Sequence, residues 1–357
     1  MAEGRVHPSE GLTETIPVRA AHRFDEARLA AYLGEHLDGF GGALEVLQMQ
    51  AGQSNPTFLL GACGREWVLR KQPPGKLLPS AHAVDREFRI QQALAATDVP
   101  VARMLHFCAD ADVLGTPFYV MERMRGRVFH DNTLPGLTPG ERGAVYEAAC
   151  DILARLHRVD WRALGLADFG KPGNYFIRQI GRWSKQWQAS KQSEIPAMER
   201  LIAWLPEHVP DDDTVTVVHG DYRLGNMMFH PDRPEVIAVF DWELSTLGHP
   251  LSDLAYTLMP YNTRDAFGAL MDLDLAALGI PDQESYIRAY CARTGRASFD
   301  PTFYLAFSMF RMAAITEGVL ARALSGIASS ADAAKVGANT RPYAERGWAL
   351  VEATGGD

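Results

Sequence analysis

Apolar residues follow two different patterns along the chain. In the first third, short apolar runs typical of β-strands alternate with two segments whose apolar residues recur at helical spacing. The predicted strands are Leu44–Gln50, Pro56–Gly61, Trp67–Arg70, one ending at Phe107, and Phe118–Met121, and the predicted helices are Phe24–Leu37 and about Ala83–Ala96. Because strands joined by short turns pair antiparallel, this part predicts an antiparallel sheet with flanking helices.

After Thr138 the helical pattern dominates. The predicted helices are Glu141–Arg158, Tyr175–Ser190 and Ala197–Trp204, the three interrupting strands are Val215–Val218, Met227–Phe229 and Val236–Phe240, and the pattern after His249 is helical almost to the end. We therefore expect an α+β chain with a small N-lobe at residues 1–122 and a large, mainly helical C-lobe at residues 123–357. Ligands favour the crevice between two such lobes, so the site is expected there.

Composition and charge narrow the functional classes. The 357 residues are 47% hydrophobic and 22% charged, which excludes intrinsic disorder, and the net charge of −9 disfavours nucleic acid as a partner. The four cysteines form no CxxC pair, which argues against a zinc site and a disulfide scaffold. The first twenty residues contain no apolar leader segment and no long uncharged apolar run occurs, so we expect a cytoplasmic protein without a membrane partner.

The strongest chemical signal is the segment HGDYRLGN at residues 219–226, directly after the apolar run VTVV. Its spacing is that of kinase catalytic loops, in which the aspartate accepts the proton of the attacking hydroxyl and the asparagine binds magnesium. These positions are Asp221 and Asn226 here. Asp241 directly follows the strand VIAVF, a position where a carboxylate is held well enough to bind a divalent cation. Arg223 is placed to neutralise charge on the transferred phosphoryl group.

A structural alternative exists for each of these residues. Asp221 and Asn226 also suit turns, Asp241 suits a helix cap, and Arg223 suits an exposed loop. Motif, spacing and strand context together favour the catalytic interpretation. We expect His219 to bond the backbone of the loop and not to move protons.

The segments HGDYRLGN and VFDWELSTLGHPLSDLAY resemble the aminoglycoside phosphotransferase and choline kinase superfamily. The segments VLRKQPPGKLLPSAHAVDREF and GKPGNYFIRQIGRWSKQW are similar, more narrowly, to the kinase-like domains that animals carry fused to acyl-CoA dehydrogenases of the family member 10 and 11 type. The resemblance runs from about residue 25 to residue 345. It implies a protein-kinase-like two-lobed fold and an ATP- and Mg²⁺-dependent phosphotransferase, with Asp221 as the base and Asn226 and Asp241 as magnesium ligands.

The resemblance also implies a nucleotide site in the N-lobe. The family's glycine-rich loop is represented only by AGQSN, so backbone N–H groups near Ser54 and Asn55 are the candidates for phosphate contacts. The strand lysine that grips the phosphates is replaced by Arg70 in the segment VLRK, and strand alternation sends Lys71 to the opposite face. Glu87 would be the ion-pair partner of Arg70, and its alternative is a solvated surface carboxylate.

Further roles follow from position within the family pattern. Adenine is expected to meet the backbone of the connector between Glu122 and Met124. Asp253 resembles the aspartate that braces the catalytic loop, with a helix N-cap as its alternative. Asp168 begins the tripeptide DFG, but it precedes the catalytic loop, so we assign it no catalytic role.

The acceptor is predicted from one basic stripe. Arg178, Arg182 and Lys185 share one face of the predicted helix from Tyr175, with two tryptophans beside them. Such a face suits an anionic acceptor, a hydroxyacyl-CoA or a hydroxy acid, whereas a polycationic aminoglycoside would need carboxylates. The alternative is a solvated face with the tryptophans packed inward.

Our leading hypothesis is a small-molecule kinase that phosphorylates an alcohol group. Alternatives are a catalytically weak pseudokinase that binds nucleotide or acyl-CoA, and an antibiotic kinase of the aminoglycoside type. A metal-dependent phosphoesterase is disfavoured because Met227 stands where such an enzyme needs a histidine. The expected partner is a small-molecule acceptor, and a homodimer and a functional link to an acyl-CoA dehydrogenase are left open.

Overall fold

A computed structural model describes residues 15–50, 55–75, 82–264, 269–325 and 333–355. The chain divides into two compact units. The first, here called the sheet unit, comprises residues 1–130, 161–169 and 224–245, and the second, the helical unit, comprises residues 131–160, 170–223 and 246–357. The lobe limits 1–122 and 123–357 stay a prediction.

The elements follow the predicted order. The strands are β1 (Thr15–Ile16), β2 (Glu45–Met49), β3 (Thr57–Ala62), β4 (Arg65–Lys71), β5 (Met104–Cys108), β6 (Phe118–Glu122), β7 (Thr216–Val218), β8 (Met227–Phe229), β9 (Val236–Val239) and β10 (Thr246–Gly248). The helices are α1 (Glu26–His36), α2 (Val84–Leu94), α3 (Ala111–Leu114), α4 (Pro139–His157), α5 (Tyr175–Ser190), α6 (Pro196–Glu207), α7 (Leu251–Thr257), α8 (Leu275–Leu278), α9 (Gln283–Thr294), α10 (Thr302–Leu324), α11 (Ala333–Gly337) and α12 (Thr340–Glu352).

The sheet unit is built on one antiparallel sheet with the strand order β1-β2-β3-β4-β6-β5. The predicted turn between β5 and β6 contains the single-turn helix α3. Asp110 caps this helix by accepting a hydrogen bond from the backbone of Asp112, and Gly115 ends it with a φ of 81°. The antiparallel sheet expected from the sequence is therefore present.

Alternation along β4 separates two faces of the sheet. Trp67 and Leu69 belong to the apolar core that α1 and α3 cover, and Lys71 lies on the same face. Arg70 lies on the other face and contacts α2. The predicted division of the two cations between opposite faces is confirmed.

The helical unit packs around α10. Helices α5, α6, α7 and α12 all contact this helix. Among the described residues α10 is the one helix long and apolar enough to cross a membrane, and 78% of its most apolar window is buried inside the protein. The short strands β7 and β10 pair antiparallel within this unit. The sequence pattern missed β10.

Candidate active site

Arg70 contacts three carboxylates within the sheet unit. Its Nε lies 2.8 Å from Glu87 Oε2, and the two groups form a close ion pair without the alignment of a hydrogen bond. Its Nη2 lies 3.0 Å from Asp241 Oδ1. Glu243 Oε2 is 3.8 Å from the same Nη2. Burial acts to lower the pKa of Arg70, and its carboxylates outweigh that effect and raise it. The guanidinium therefore stays charged and joins Glu87 to the predicted metal ligand Asp241, a bridging role that its separate nitrogens suit.

Glu87 is buried inside a hydrogen-bonded network. Its side chain is 1% exposed, Asn55 Nδ2 donates to Oε1 at 2.6 Å, and the Tyr119 hydroxyl donates to Oε2 at 3.0 Å. Burial raises the pKa of the Glu87 carboxyl, while Arg70 and these two donors oppose the rise. The alternative that Glu87 is a solvated surface carboxylate is wrong.

Asn55 supports Glu87 with its side chain. The residue is fully buried, and its amide oxygen lies 3.0 Å from His82 Nδ1. The side chain is thus engaged on both sides, and a backbone contact of Asn55 with phosphate stays a prediction. Ser54, the other residue predicted near phosphate, lies outside the described residues. The support that Asn55 and Tyr119 give to Glu87 was not predicted.

The DFG tripeptide anchors α2 within the sheet unit. Arg89 forms an ion pair with the exposed carboxylate of Asp168. Arg86 Nη2 donates to the carbonyl oxygen of Phe169 at 2.6 Å, and its guanidinium stacks 4.1 Å from the centre of the Phe169 ring. Both arginines flank Glu87 on α2, so these contacts orient the helix that carries Glu87. The observed contacts are structural, and the absence of a catalytic role for Asp168 stays a prediction.

Asp241 has an unusual backbone at the end of β9. Its φ of 62° and ψ of 57° lie in the left-handed region, which non-glycine residues seldom adopt. It precedes a short 3₁₀ turn, and its side chain does not cap that turn. The helix-cap alternative is therefore wrong, and the carboxylate is directed to Arg70 instead.

Asn226 and Asp241 come together on the β8–β9 hairpin. Met227 pairs with Val239, and the backbone N–H of Phe240 donates to Asn226 O at 2.8 Å. This register brings the residue before Asp241 opposite Asn226, which is 6% exposed. Within the described ranges, no group of three or more His, Cys, Asp or Glu side chains can hold a metal. One carboxylate and one amide oxygen still fit magnesium, which usually keeps several waters and phosphate oxygens as ligands.

The catalytic loop is held at its backbone within the helical unit. Asp253 accepts hydrogen bonds from the N–H groups of His219 at 2.6 Å and Gly220 at 2.8 Å. Burial acts to raise the pKa of Asp253, and the interactions with His157 and His219 lower it further than burial raises it. Arg311 Nη2 donates to Gly220 O at 2.7 Å. The N-cap alternative for Asp253 is wrong, and the observed contacts are those of a brace.

The side chain of Asp221 is partly exposed and has cationic and hydroxyl neighbours. Its carboxylate is 22% exposed, and Arg223 Nε lies 3.5 Å from Oδ2. Burial raises the pKa of the Tyr256 hydroxyl, and the negative charge of Asp221 and a hydrogen bond to it act in the same direction. The backbone N–H of Asp221 donates to His219 Nδ1 at 3.2 Å, so His219 bonds the loop backbone as expected. Tyr256 was missed because nothing in its sequence position marks it.

The connector after β6 runs along an apolar cluster in the sheet unit. Met124 packs against Val128, Met228 and Ala238. Gly126 is required here, because a Cβ at this position would lie 2.2 Å from the carbonyl oxygen of Phe229. The cluster offers an apolar surface beside the predicted adenine contact.

Glu122, at the start of the connector, already has two backbone partners. Its N–H donates to Arg103 O at 3.0 Å, and its carboxylate accepts from Arg103 N at 2.7 Å. These bonds fix the end of β6. The contact of Glu122 and Met124 with adenine stays a prediction.

The basic stripe lies on α5, with its tryptophans facing inward. Trp183 and Trp187 are buried, and Arg182 and Lys185 are exposed. Arg178 is half-buried and donates to Lys171 O at 2.5 Å. The packing is that of a charged face over an apolar core, which was the structural alternative. Four large apolar residues of α10 are also part of the core: Phe303, Phe307, Met309 and Phe310.

Comparison with known proteins identifies the family of the chain. Residues 45–303 match the model of the phosphotransferase enzyme family, APH. Acyl-CoA dehydrogenase family member 10 of Mus musculus is 48% identical over 346 residues, which are 95% of this chain and 32% of the relative. Acyl-CoA dehydrogenase family member 11 of Homo sapiens is 44% identical over 351 residues, which are 96% of this chain and 45% of the relative. The chain thus spans less than half the length of these relatives.

Solved structures share the fold. A Ralstonia eutropha protein provisionally assigned to the aminoglycoside phosphotransferases superposes with a TM-score of 0.86 at 49% identity, covering 93% of this chain and 99% of that chain. A thermostable mutant of aminoglycoside phosphotransferase APH(4)-Ia, in complex with ADP and hygromycin B, has a TM-score of 0.59 at 16% identity. It covers 90% of this chain and 97% of that chain, and it shows the fold alone. The predicted protein-kinase-like α+β fold is confirmed, and the chain belongs to the phosphotransferase enzyme family of small-molecule kinases.

Proposed function

We propose that this protein uses ATP and magnesium to phosphorylate a hydroxyl group of a small anionic acceptor, a hydroxyacyl-CoA or a hydroxy acid. The proposal rests above all on Arg70, whose guanidinium contacts both Glu87 and Asp241. In kinases the corresponding cation grips nucleotide phosphates, and the acid after the catalytic loop binds the metal. A buried cation that contacts this acid supports phosphate chemistry.

Asp221 is the proposed general base. It accepts the proton of the acceptor hydroxyl as the oxygen attacks the γ-phosphorus, and the bond from that phosphorus to the β,γ-bridging oxygen breaks to release ADP. Arg223 offsets negative charge on the transferred group. The backbone bonds from Asp253 and Arg311 to the loop hold Asp221 in place before reaction. The hydrogen bond with Tyr256 limits the rotation of its carboxylate.

Asn226 and Asp241 are the proposed magnesium ligands. Magnesium, when bound, neutralises phosphate charge and orients the γ-phosphoryl group. The left-handed backbone of Asp241 and the hairpin bond at Asn226 fix the directions of these two ligands. The apolar cluster around Met124 is the proposed seat of the adenine ring.

Charge on α5 supports an anionic acceptor. The helix carries three cations and no acidic residue, and Arg182 and Lys185 are exposed. The relatives that carry a similar segment are named as acyl-CoA dehydrogenases, which supports an acyl thioester or its hydroxy acid as the acceptor class. Cytoplasmic localisation, a homodimer and a functional link to a dehydrogenase stay predictions.

An aminoglycoside-type kinase is the second candidate function. A cavity of about 360 Å³ in the helical unit is lined by Asp211, Asp212 and Asp213, beside the start of α5. Carboxylates of this kind suit a polycationic acceptor. Aminoglycosides therefore belong in the panel of acceptors that tests the proposal.

The test is phosphoryl transfer from γ-labelled ATP with magnesium to a panel of hydroxyacyl-CoAs, hydroxy acids and aminoglycosides. We expect label on an anionic acceptor. Asp221→Asn should lower kcat by about 10²- to 10⁴-fold with unchanged nucleotide affinity, because only proton transfer is removed. The matched control Asp232→Asn, at an exposed turn, should keep full activity.

The other outcomes separate the hypotheses. Full activity of Asp221→Asn would refute the assignment of Asp221 as the general base. Label found only on aminoglycosides supports the second candidate. Nucleotide binding by calorimetry without transfer to any acceptor in the panel or in a metabolite extract supports the pseudokinase.

A further inference from the structure

A small cavity in the sheet unit lies at the end of β4. Its volume is about 170 Å³, and it is lined by the segment before α1, by Pro56 and Pro74, by Lys71 and by the turn after α3. Among the described residues that line it, three are basic, His22, Arg23 and Lys71, and none is acidic. One water molecule needs about 10–15 Å³ of such volume, so the cavity has room for a small group of atoms.

Lys71 carries a buried ammonium group whose positive charge has few compensating contacts. The residue is 5% exposed, Nζ donates to Leu114 O at 2.9 Å, and it lies 5.4 Å from the centre of the Phe24 ring. Among the residues the structure describes, no carboxylate forms an ion pair with it. An ammonium has three N–H groups, and a buried charge normally has a charged partner. Burial lowers the pKa of Lys71, which reflects this environment.

Arg23 and His22 add donors at the same cavity. Arg23 is exposed, and its guanidinium has no hydrogen bond or ion pair with any other described residue. His22 Nδ1 accepts a hydrogen bond from Gln48 Nε2 at 2.8 Å, so its proton is on Nε2. The cavity therefore combines a buried ammonium, a guanidinium and an imidazole N–H, and the described residues that line it include no carboxylate to balance them.

We propose that this cavity binds a small anion, a carboxylate or phosphate group held between Lys71 and Arg23. Charge-assisted hydrogen bonds from an ammonium and a guanidinium are the strong contacts that such anions use. The site does not rest on the proposed phosphotransfer function, because Lys71 lies on the face of β4 opposite Arg70.

The test is calorimetric titration of the full chain with inorganic phosphate and, separately, with acetate. Saturating magnesium ADP fills the proposed nucleotide site during both titrations. We expect saturable binding of at least one anion, weakened about tenfold or more in Lys71→Met and in Arg23→Ala. Preference for phosphate indicates a phosphorylated ligand, and preference for acetate indicates a carboxylate ligand.

Arg28→Ala is the matched control, because it removes an exposed arginine of α1 that does not line the cavity. It should bind both anions as the unmodified chain does. Arg23 is exposed, so Arg23→Ala decides the question even if Lys71→Met does not fold. Absence of saturable binding of both anions, or binding unchanged in Arg23→Ala, overturns the proposal.

Discussion

Replacing Arg70 by methionine removes the cation that the buried Glu87 needs. The side chains of Arg70 and Glu87 are 11% and 1% exposed, so this is a buried pair. Removing one partner of a buried pair typically costs about 3–5 kcal/mol, because the other charge is left without compensation. Asn55 and Tyr119 still donate to Glu87, so we expect Arg70→Met to lose about 3 kcal/mol of unfolding free energy, the low end of that range.

The double variant Arg70→Met/Glu87→Gln isolates the unpaired charge. A neutral amide at Glu87 no longer carries the desolvation penalty of a carboxylate, so the double variant should recover about 1–2 kcal/mol relative to Arg70→Met. The control Asp85→Asn changes an exposed carboxylate on the same helix, and it should stay within about 0.5 kcal/mol of the unmodified chain.

Urea unfolding, followed by circular dichroism at two pH values, measures these differences. In Arg70→Met, burial holds the pKa of Glu87 above its unfolded value, so the folded state binds more protons than the unfolded state near that pKa. Because the folded state binds more protons, the unfolding free energy of Arg70→Met should rise relative to that of the double variant as the pH falls from 7 towards 5. Equal stability of Arg70→Met and the double variant at both pH values would refute the assignment of Glu87 as a charged buried partner.

Two further predictions concern His249 and two glycines. Burial lowers the pKa of His249 to about 4, so the unfolded state binds a proton that the folded state rejects. Stability should fall by up to about 3 kcal/mol as the pH drops from about 6.5 to 4, and His249→Gln should flatten this slope in a pH series of urea titrations. Gly126→Ala should cost about 1–3 kcal/mol because its Cβ meets the Phe229 carbonyl, whereas Gly181→Ala, with open space on α5, should stabilise by up to about 1 kcal/mol. Equal melting temperatures of the two alanine variants would contradict the packing argument.

Local patterns predicted the elements that have a clear apolar period or run and missed short elements that have none. The bounds of α5 and β8 agree with the predicted ones, because each segment has a clear apolar period or run. Strand β10 was missed because its three residues have no readable period, and its partner β7 lies almost thirty residues earlier in the chain. The pairing is decided by tertiary structure, which a local pattern does not contain.

Some features of the candidate site could likewise be predicted from the sequence, and others could not. Spacing alone singled out Asp221, Asn226 and Asp241, because the catalytic loop is a continuous segment with a fixed order of residue types. It could not find the hydrogen bonds that Asn55 and Tyr119 donate to Glu87, since each bond spans 32 positions of sequence. The left-handed backbone of Asp241 is also invisible in the sequence, as aspartate tolerates that conformation without requiring it.

The arginine at position 70 bears directly on the choice between kinase and pseudokinase. A replacement that merely removed function would leave the carboxylate on α2 without a fitted partner. Arg70 instead forms ion pairs with Glu87 and Asp241 at once, and two further donors complete the environment of Glu87. A non-glycine residue in the left-handed region costs about 1–2 kcal/mol, a cost that a contact with Arg70 helps to offset at Asp241. The site is therefore built around a guanidinium, and this favours retained phosphate chemistry over its loss.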